Sequence, residues 1–330
     1  MRPNASHRQR IEACLRGGSE KGVPVALWRH FPVDDQQPET LAAAHLQFQR
    51  AYDFDLLKVT PASSYMAKDW GIVDVWRGAT EGTREYTHRV IHHAEDWANL
   101  TVLDPIQGSL GDSISALKLI TRELGEDTPV IQTVFSPLSQ AKNLVGREQL
   151  IVHLRSHPQE VHAGLRAIAE TTLKYIERLS QTGVAGIFFA VQHAQYGMLS
   201  PQEYSEFGRP YDLTVLAPAK DFWLNMLHLH GENIFFDQFL DYPVSVINWH
   251  DQDTPPTLSE AKKKFTGVVC GGLKRESTII LGTPETVRAE AQSAFQATGG
   301  TRFILGTGCV APTIAPRANL IAARQSVDYL

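Results

Sequence analysis

Two histidines separated by a single residue, His228 and His230, close the apolar run FWLNMLHLH at residues 222–230. In a β-strand, residues i and i+2 point to the same face, so both imidazoles can converge on one point. A third soft or borderline ligand from another strand end would complete a three-ligand zinc site with an open fourth position. Cys309 is the best candidate, because the glycine-flexible turn GTGCVAP can bring its thiolate inward. Spacing alone leaves a plainer alternative, in which one histidine packs under a loop and Cys309 is a small buried thiol.

Other residues offer chemistry at the ends of similar apolar runs. Arg29, after VPVALW at residues 23–28, could clamp a substrate carboxylate through two parallel hydrogen bonds, or pair with Asp34 or Asp35. Lys58 in DLLKVT could meet a substrate or snorkel into a loop. Gln192, His193 and Tyr196 follow AGIFFAV, and Trp249 closes PVSVINW; these are candidates to hold substrate, with core packing the competing role for the aromatics. His250 and Asp251 could be a general acid and its orienting partner, or ordinary loop residues, and Glu232 is a second proton-moving candidate. Lys262 to Lys264 reads as a solvated helix face.

Positioning these groups falls to a repeated unit, a strand-like run followed by an amphipathic helix. The strands are expected at VPVALW, DLLKVT, TPVIQTVF, AGIFFAV, FWLNMLHLH, PVSVINW, TGVVCGG and TRFILGTG. A helix capped by Ser6 precedes the first, and an irregular elaboration with a strand pair follows the second, over residues 62–128. Helices are expected from Pro38, over 146–182 with a break at His157-Pro158, from Ser200-Pro201, from Asn233, before TGVVCGG, from Thr283 and from Pro316. Such alternation implies parallel pairing through helical crossovers, and eight is the number that closes a (β/α)₈ TIM barrel. A doubly wound sheet is the alternative, but no G-x-G-x-x-G follows the first strand. In a barrel, the residues named above share the carboxyl end of the strands, where active sites lie.

Composition is that of an ordinary soluble globular protein. The 330 residues carry a net charge of −5, with 43% hydrophobic and 20% charged residues. A mildly acidic chain has no broad footprint for nucleic acid. No apolar stretch approaches the ~20 residues of a membrane span, and the polar start MRPNASHRQR has no signal core, so a cytoplasmic location is expected. The three cysteines cannot all pair. The expectation is a single domain over residues 1–330.

The chain resembles the uroporphyrinogen decarboxylase superfamily of (β/α)₈ barrels. The resemblance rests on VPVALWRHFP, FDLLKVTPASSYMAKDWG, VFSPLSQA, GMLSPQEYSEFGRPY and the closing GCVAP, and it covers nearly the whole chain. True decarboxylases carry R-Q-A-G-R-Y after the first strand; here WRHFPVDD keeps Arg29, lacks the second arginine and adds Asp34 and Asp35. The G-H-G element at the last strand is replaced by Gly308-Cys309. The other branch is the zinc-dependent methyltransferases similar to methylcobamide:coenzyme M methyltransferases, with His-x-Cys after strand five and a cysteine in a G-C-x-x-P-like turn. His228 and Cys309 match that pattern, while His230 stands where the branch has its first cysteine.

The resemblance therefore implies zinc on His228, His230 and Cys309. Two neutral imidazoles and one thiolate leave such a site at +1, which favours deprotonation of a bound thiol, alkoxide or water but makes a less reactive thiolate. The implied reaction is methyl or alkyl transfer, with Arg29, Lys58, Gln192, His193, Tyr196 and Trp249 holding a small-molecule substrate. His250 or Glu232 would move protons. No D-x-H-x-x-G corrinoid motif occurs, so a corrinoid methyl donor would arrive on a separate protein or as free cofactor. The alternatives are a metal-free decarboxylase and a non-catalytic barrel that binds a tetrapyrrole or corrinoid. A homodimer is compatible with the resemblance.

Overall fold

The computed structural model describes residues 5–328, so residues 1–4 of the polar start lie outside it. In chain order the elements are α1 (His7–Leu15), α2 (Pro38–Tyr52), β1 (Leu57–Val59), β2 (Val73–Val75), β3 (Glu85–His88), α3 (Gly108–Leu124), β4 (Val130–Phe135), α4 (Pro137–Val145), α5 (Arg147–Ser156) and α6 (Pro158–Leu179). There follow β5 (Gly186–Val191), α7 (Pro201–Phe207), α8 (Arg209–Leu216), β6 (Met226–Leu229), β7 (Val246–Trp249), α9 (Leu258–Lys264), β8 (Val268–Leu273), α10 (Pro284–Thr298), β9 (Phe303–Thr307) and α11 (Arg317–Ser326).

Seven strands form one parallel sheet in the order β1-β4-β5-β6-β7-β8-β9, and β2 and β3 form a separate antiparallel hairpin. Every residue of β4, β5 and β8 is buried, as expected of parallel strands covered on both faces. The helices begin where local chemistry dictates. Ser6, Ser200, Thr257 and Thr283 each form a capping box with the residue three positions on, satisfying backbone donors that the helix cannot. The helix break at His157-Pro158 falls between α5 and α6 as expected.

Three elements differ from the sequence expectation. The run at residues 23–28 is no strand; it makes a single parallel bridge, Val25 to Leu305. Pro24 has no N–H, and the Val25 N–H donates to the side chain of buried Asp55 at 2.8 Å instead of to a neighbouring carbonyl. The segment still bonds to both sheet edges, through Ala26 N–H to the Leu305 carbonyl at 2.9 Å and Asp55 N–H to the Val25 carbonyl at 2.8 Å. The helix expected from Asn233 is only a 3₁₀ turn, Phe236–Phe239, because Asn233 adopts φ 51° and donates its N–H to Thr254 at 2.8 Å. Conversely, α4 was not expected: its apolar stripe, Leu138, Ala141, Leu144 and Val145, spans only two turns, and its polar Ser139, Gln140 and Asn143 are buried as well. Gln140 is satisfied by donating to the Phe135 carbonyl and to Thr172, both at 2.8 Å.

Candidate metal centre

His228 lies within β6 and His230 is the first residue beyond it. Their rings sit 5.8 Å apart, and the Cys309 sulfur lies 3.8 Å from His230 Nδ1. That separation is close to the ~3.5 Å between two donors on one tetrahedral zinc with bonds of 2.0–2.3 Å. A fourth group joins them. His250, read from sequence as a proton-moving residue, stands with its ring 4.8 Å from that of His230 and perpendicular to it. The donor atoms of His228, His230, His250 and Cys309 all lie within 4.8 Å of one another. His250 Nε2 is buried without a hydrogen-bond partner, so no group of the fold occupies it.

The surroundings fix these groups. Asn248, beside His228 in the β6–β7 register, donates its amide to the Cys270 and Thr307 carbonyls at 3.0 Å each. Its oxygen therefore faces His228, 2.7 Å from Nδ1, and the imidazole must donate there. That leaves the Nε2 lone pair of His228 available to a metal, the arrangement that orients most metal-ligating histidines. Phe188 stacks on the same ring at 5.1 Å. On the facing turn, the Thr307 hydroxyl donates to the Cys309 carbonyl at 2.5 Å. Gly308 is required by space: a Cβ there would lie 2.7 Å from the Trp249 carbonyl oxygen and the His250 Cα.

Burial pushes the Cys309 thiol up, but the imidazoles of His228, His230 and His250 around it outweigh burial and hold the thiol well below its ordinary value. Burial lowers His228 despite the nearby Cys309. For His250, burial works downward, yet contact with Cys309 and the charges of Asp253 and Asp251 raise it overall. A thiolate among imidazoles is a soft, partly neutralised donor set that fits zinc by type and number.

A cleft of ≈ 770 Å³ opens directly onto the cluster, lined by His230, His250, Glu232, Lys274, Arg275 and Glu81. Glu81 comes from the β2–β3 hairpin, whose tip is pinned over the mouth by an ion pair with Arg275 and by Thr313 N–H donating to the Thr80 carbonyl at 2.7 Å. Glu232 is thus placed with the two cleft histidines. Lys58 is buried, its ammonium 4.5 Å from the Phe188 ring and 3.3 Å from the Thr60 hydroxyl; burial lowers its pKa to about 7 against an upward pull from Cys309. Gln192 accepts from Lys142 at 3.4 Å, and His193 is buried with both ring nitrogens unpartnered.

The remaining expectations are corrected. Trp249 is fully buried and its indole N–H donates to the Pro256 carbonyl at 2.9 Å, so it packs the core rather than walling the cleft. Tyr196 is 66% exposed and lines a different groove with Phe235 and Lys264. Arg29 makes no ion pair with Asp34 or Asp35; its guanidinium lies over Phe31 and Phe48 and donates to the Thr313 carbonyl at 3.3 Å, while Asp35 pairs with Arg84. Asp251 does not orient His250; its carboxylate accepts from Gln252 and the Gly272 N–H, and burial pushes it up to about 7. Cys14 and Cys270 are buried free thiols, raised by burial. The residue that sequence reasoning passed over is Asn248; the signal was an amide side chain in the middle of an otherwise apolar strand.

A curled parallel sheet wrapped in helices, with a thiolate–imidazole cluster at the carboxyl ends of its strands, defines an α/β enzyme of the barrel type. The chain belongs to the uroporphyrinogen decarboxylase (URO-D) family, whose profile matches residues 19–329. It is 24% identical over 251 residues to the methylcobamide:CoM methyltransferase MtbA of Methanosarcina mazei, covering 74% of this chain and 72% of that protein. It is 22% identical to MtbA of Methanosarcina acetivorans, covering 89% of this chain and 85% of the relative. A uroporphyrinogen decarboxylase of Chlorobaculum tepidum is 24% identical, covering 66% and 65% of the two chains. A solved methyltransferase from Methanosarcina mazei superposes with TM-score 0.85 at 17% identity, covering 98% of this chain and 99% of that one, which establishes a shared fold. No helix among the described residues is long and apolar enough to cross a membrane.

Proposed function

We propose that this chain is a zinc-dependent methyl- or alkyl-group transferase, built as one (β/α)₈ domain over residues 1–330. The observation that carries the proposal is the convergence of His228, His230 and Cys309 with the unpartnered Nε2 of His250 at the head of the cleft. Zinc bound by these residues would act as a Lewis acid that makes a thiol or related acceptor available as its anion at neutral pH.

The protein's own residues then divide the work. Asn248 holds His228 in the one tautomer that leaves Nε2 free. His250 borders both the donor set and the cleft, where it can take the proton that the acceptor sheds, and Glu232 at the cleft wall can pass it to water. Lys58, Gln192, His193 and Arg29 are the side chains assigned to hold the substrate. The methyl donor is a corrinoid supplied in trans, in keeping with the relatives named as methylcobamide methyltransferases.

A second reading, loss of carbon dioxide from a carboxylated ring, is favoured by the uroporphyrinogen decarboxylase relatives. The lack of a second arginine beside Arg29 weighs against it, since a multiply acidic ring needs several cations. Thiol-dependent consumption of methylcobalamin by the zinc-loaded protein, abolished in His228→Ala and Cys309→Ala, is the expected result. Carbon dioxide release from a porphyrinogen, undiminished in both variants, would replace the transferase reading with the decarboxylase.

A further inference from the structure

We propose that the groove bordered by Tyr196, Phe235, Pro256 and Gln238 binds a planar nitrogen heteroaromatic with an N–H donor, of which a neutral nucleoside is the fitting class. The groove holds ≈ 430 Å³, within the ~300–1,000 Å³ typical of small-molecule sites, and shares no residue with the thiolate–imidazole cluster. Tyr196 lines it, 66% exposed, with its ring perpendicular to that of Phe235 at 4.6 Å. Exposed aromatic surface beside proline and phenylalanine walls is a platform on which a flat ring stacks. Gln238 adds a polar feature. Its amide N–H donates to the Pro201 carbonyl at 3.4 Å, and its Oε1 is buried without a partner. A buried acceptor beside an aromatic platform calls for a flat ligand whose edge carries an N–H.

The walls are pinned to one another. The Tyr196 N–H donates to the Asn233 carbonyl at 3.1 Å and the Phe235 N–H to the Ala194 carbonyl at 2.8 Å, which laces the Tyr196 loop to the segment beside it. Arg209 holds the turn bearing Gln238 by donating to the Gln238 carbonyl at 2.7 Å. Lys264 of α9 donates to both carboxylate oxygens of Asp237, at 2.8 and 3.0 Å. Glu260 is committed to capping α9 through Thr257. The charged side chains of the groove are thus two carboxylates and one ammonium that is already engaged. A phosphate finds no free cation there, whereas sugar hydroxyls can donate to carboxylates. Ile234 and Pro255 continue the loops that carry His230 and His250, so the groove adjoins the cleft, yet its ligand does not depend on the transferase reading.

The test titrates the full chain calorimetrically with adenosine, with purine riboside, which has the same ring and sugar but no amine, and with adenosine 5′-monophosphate. Wild type is expected to bind adenosine, and purine riboside about two- to tenfold more weakly for want of the N–H that meets Gln238. The monophosphate is expected to bind more weakly than adenosine. Tyr196→Ala should weaken adenosine about fivefold or more, while Tyr196→Phe, which keeps the ring, retains binding and so separates stacking from folding. Gln238→Leu should bring adenosine and purine riboside to equal affinity. No adenosine binding to wild type, or binding unchanged in Tyr196→Ala, would overturn the site. Equal affinity of wild type for adenosine and purine riboside would overturn the role of Gln238, and a monophosphate that binds as tightly as adenosine would overturn the assignment to a neutral ligand.

Discussion

Asn248 Oδ1 lies 2.7 Å from His228 Nδ1, and both amide hydrogens of Asn248 are committed to backbone carbonyls of β8 and β9. One side chain on β7 thus ties β6, β8 and β9 together and sets the face that a histidine presents to the cleft. Replacing it separates orientation from ligation. Asn248→Ala is expected to weaken zinc binding by about 10–100-fold, read by competition against a chelator. It should also cost about 1–3 kcal/mol of stability, because two buried carbonyls lose their donor. Unchanged zinc affinity would show that His228 needs no such partner.

Gly308 gives a purely steric test. A methyl group there would sit 2.7 Å from backbone atoms of Trp249 and His250, so Gly308→Ala must push the Cys309 turn away from the β7 end. The expected outcome is a loss of about 1–3 kcal/mol in chemical denaturation together with weakened zinc affinity. Wild-type zinc affinity in this variant would mean that the turn is not seated against His250 when metal binds.

Stability should depend on pH through a group far from the cleft. Asp212 is fully buried; burial raises its carboxyl to about 7 even though Tyr204, Tyr242 and Arg209 pull the other way. Its pKa in the folded chain is above the unfolded value, so the native state binds the extra proton. The associated stability is complete below about pH 4 and is lost as pH rises through about 7. Asp212→Asn removes that dependence: the wild-type melting temperature should fall relative to the variant between pH 5 and 8. Parallel profiles would contradict the assignment.

The Glu81–Arg275 pair makes a prediction about access. Arg275 is 10% exposed on its side chain and the pair pins the hairpin tip across the cleft. Arg275→Met should increase hydrogen exchange of amides at residues 79–84 while leaving the sheet protected. Unaltered exchange there would show that the Thr313 and Arg84 contacts hold the tip without it.

Much of this was legible in the sequence, and the failures have physical causes. His228-x-His230 was readable because strand periodicity fixes the direction of alternate side chains, and Cys309 because a glycine-rich turn leads into it. Trp249 misled because an aromatic at a strand end can face either the core or the mouth, and only its bond to Pro256 distinguishes them. The first strand, at residues 23–28, was overread because Asp55 replaces a ladder bond with a side-chain bond, which no apolar pattern reveals. Asn248 stood out as an amide in an apolar strand, but its role lies in a neighbour 20 positions away, which the sequence alone does not pair with it.

The central claim is that His228, His230 and Cys309 hold zinc, with His250 beside them. Zinc-edge X-ray absorption on the purified protein tests it most directly. The account predicts one zinc per chain in a mixed shell, nitrogen at about 2.0–2.1 Å and a single sulfur at about 2.3 Å, with the sulfur contribution missing in Cys309→Ser. Absence of stoichiometric zinc, or a sulfur shell that survives Cys309→Ser, would contradict it.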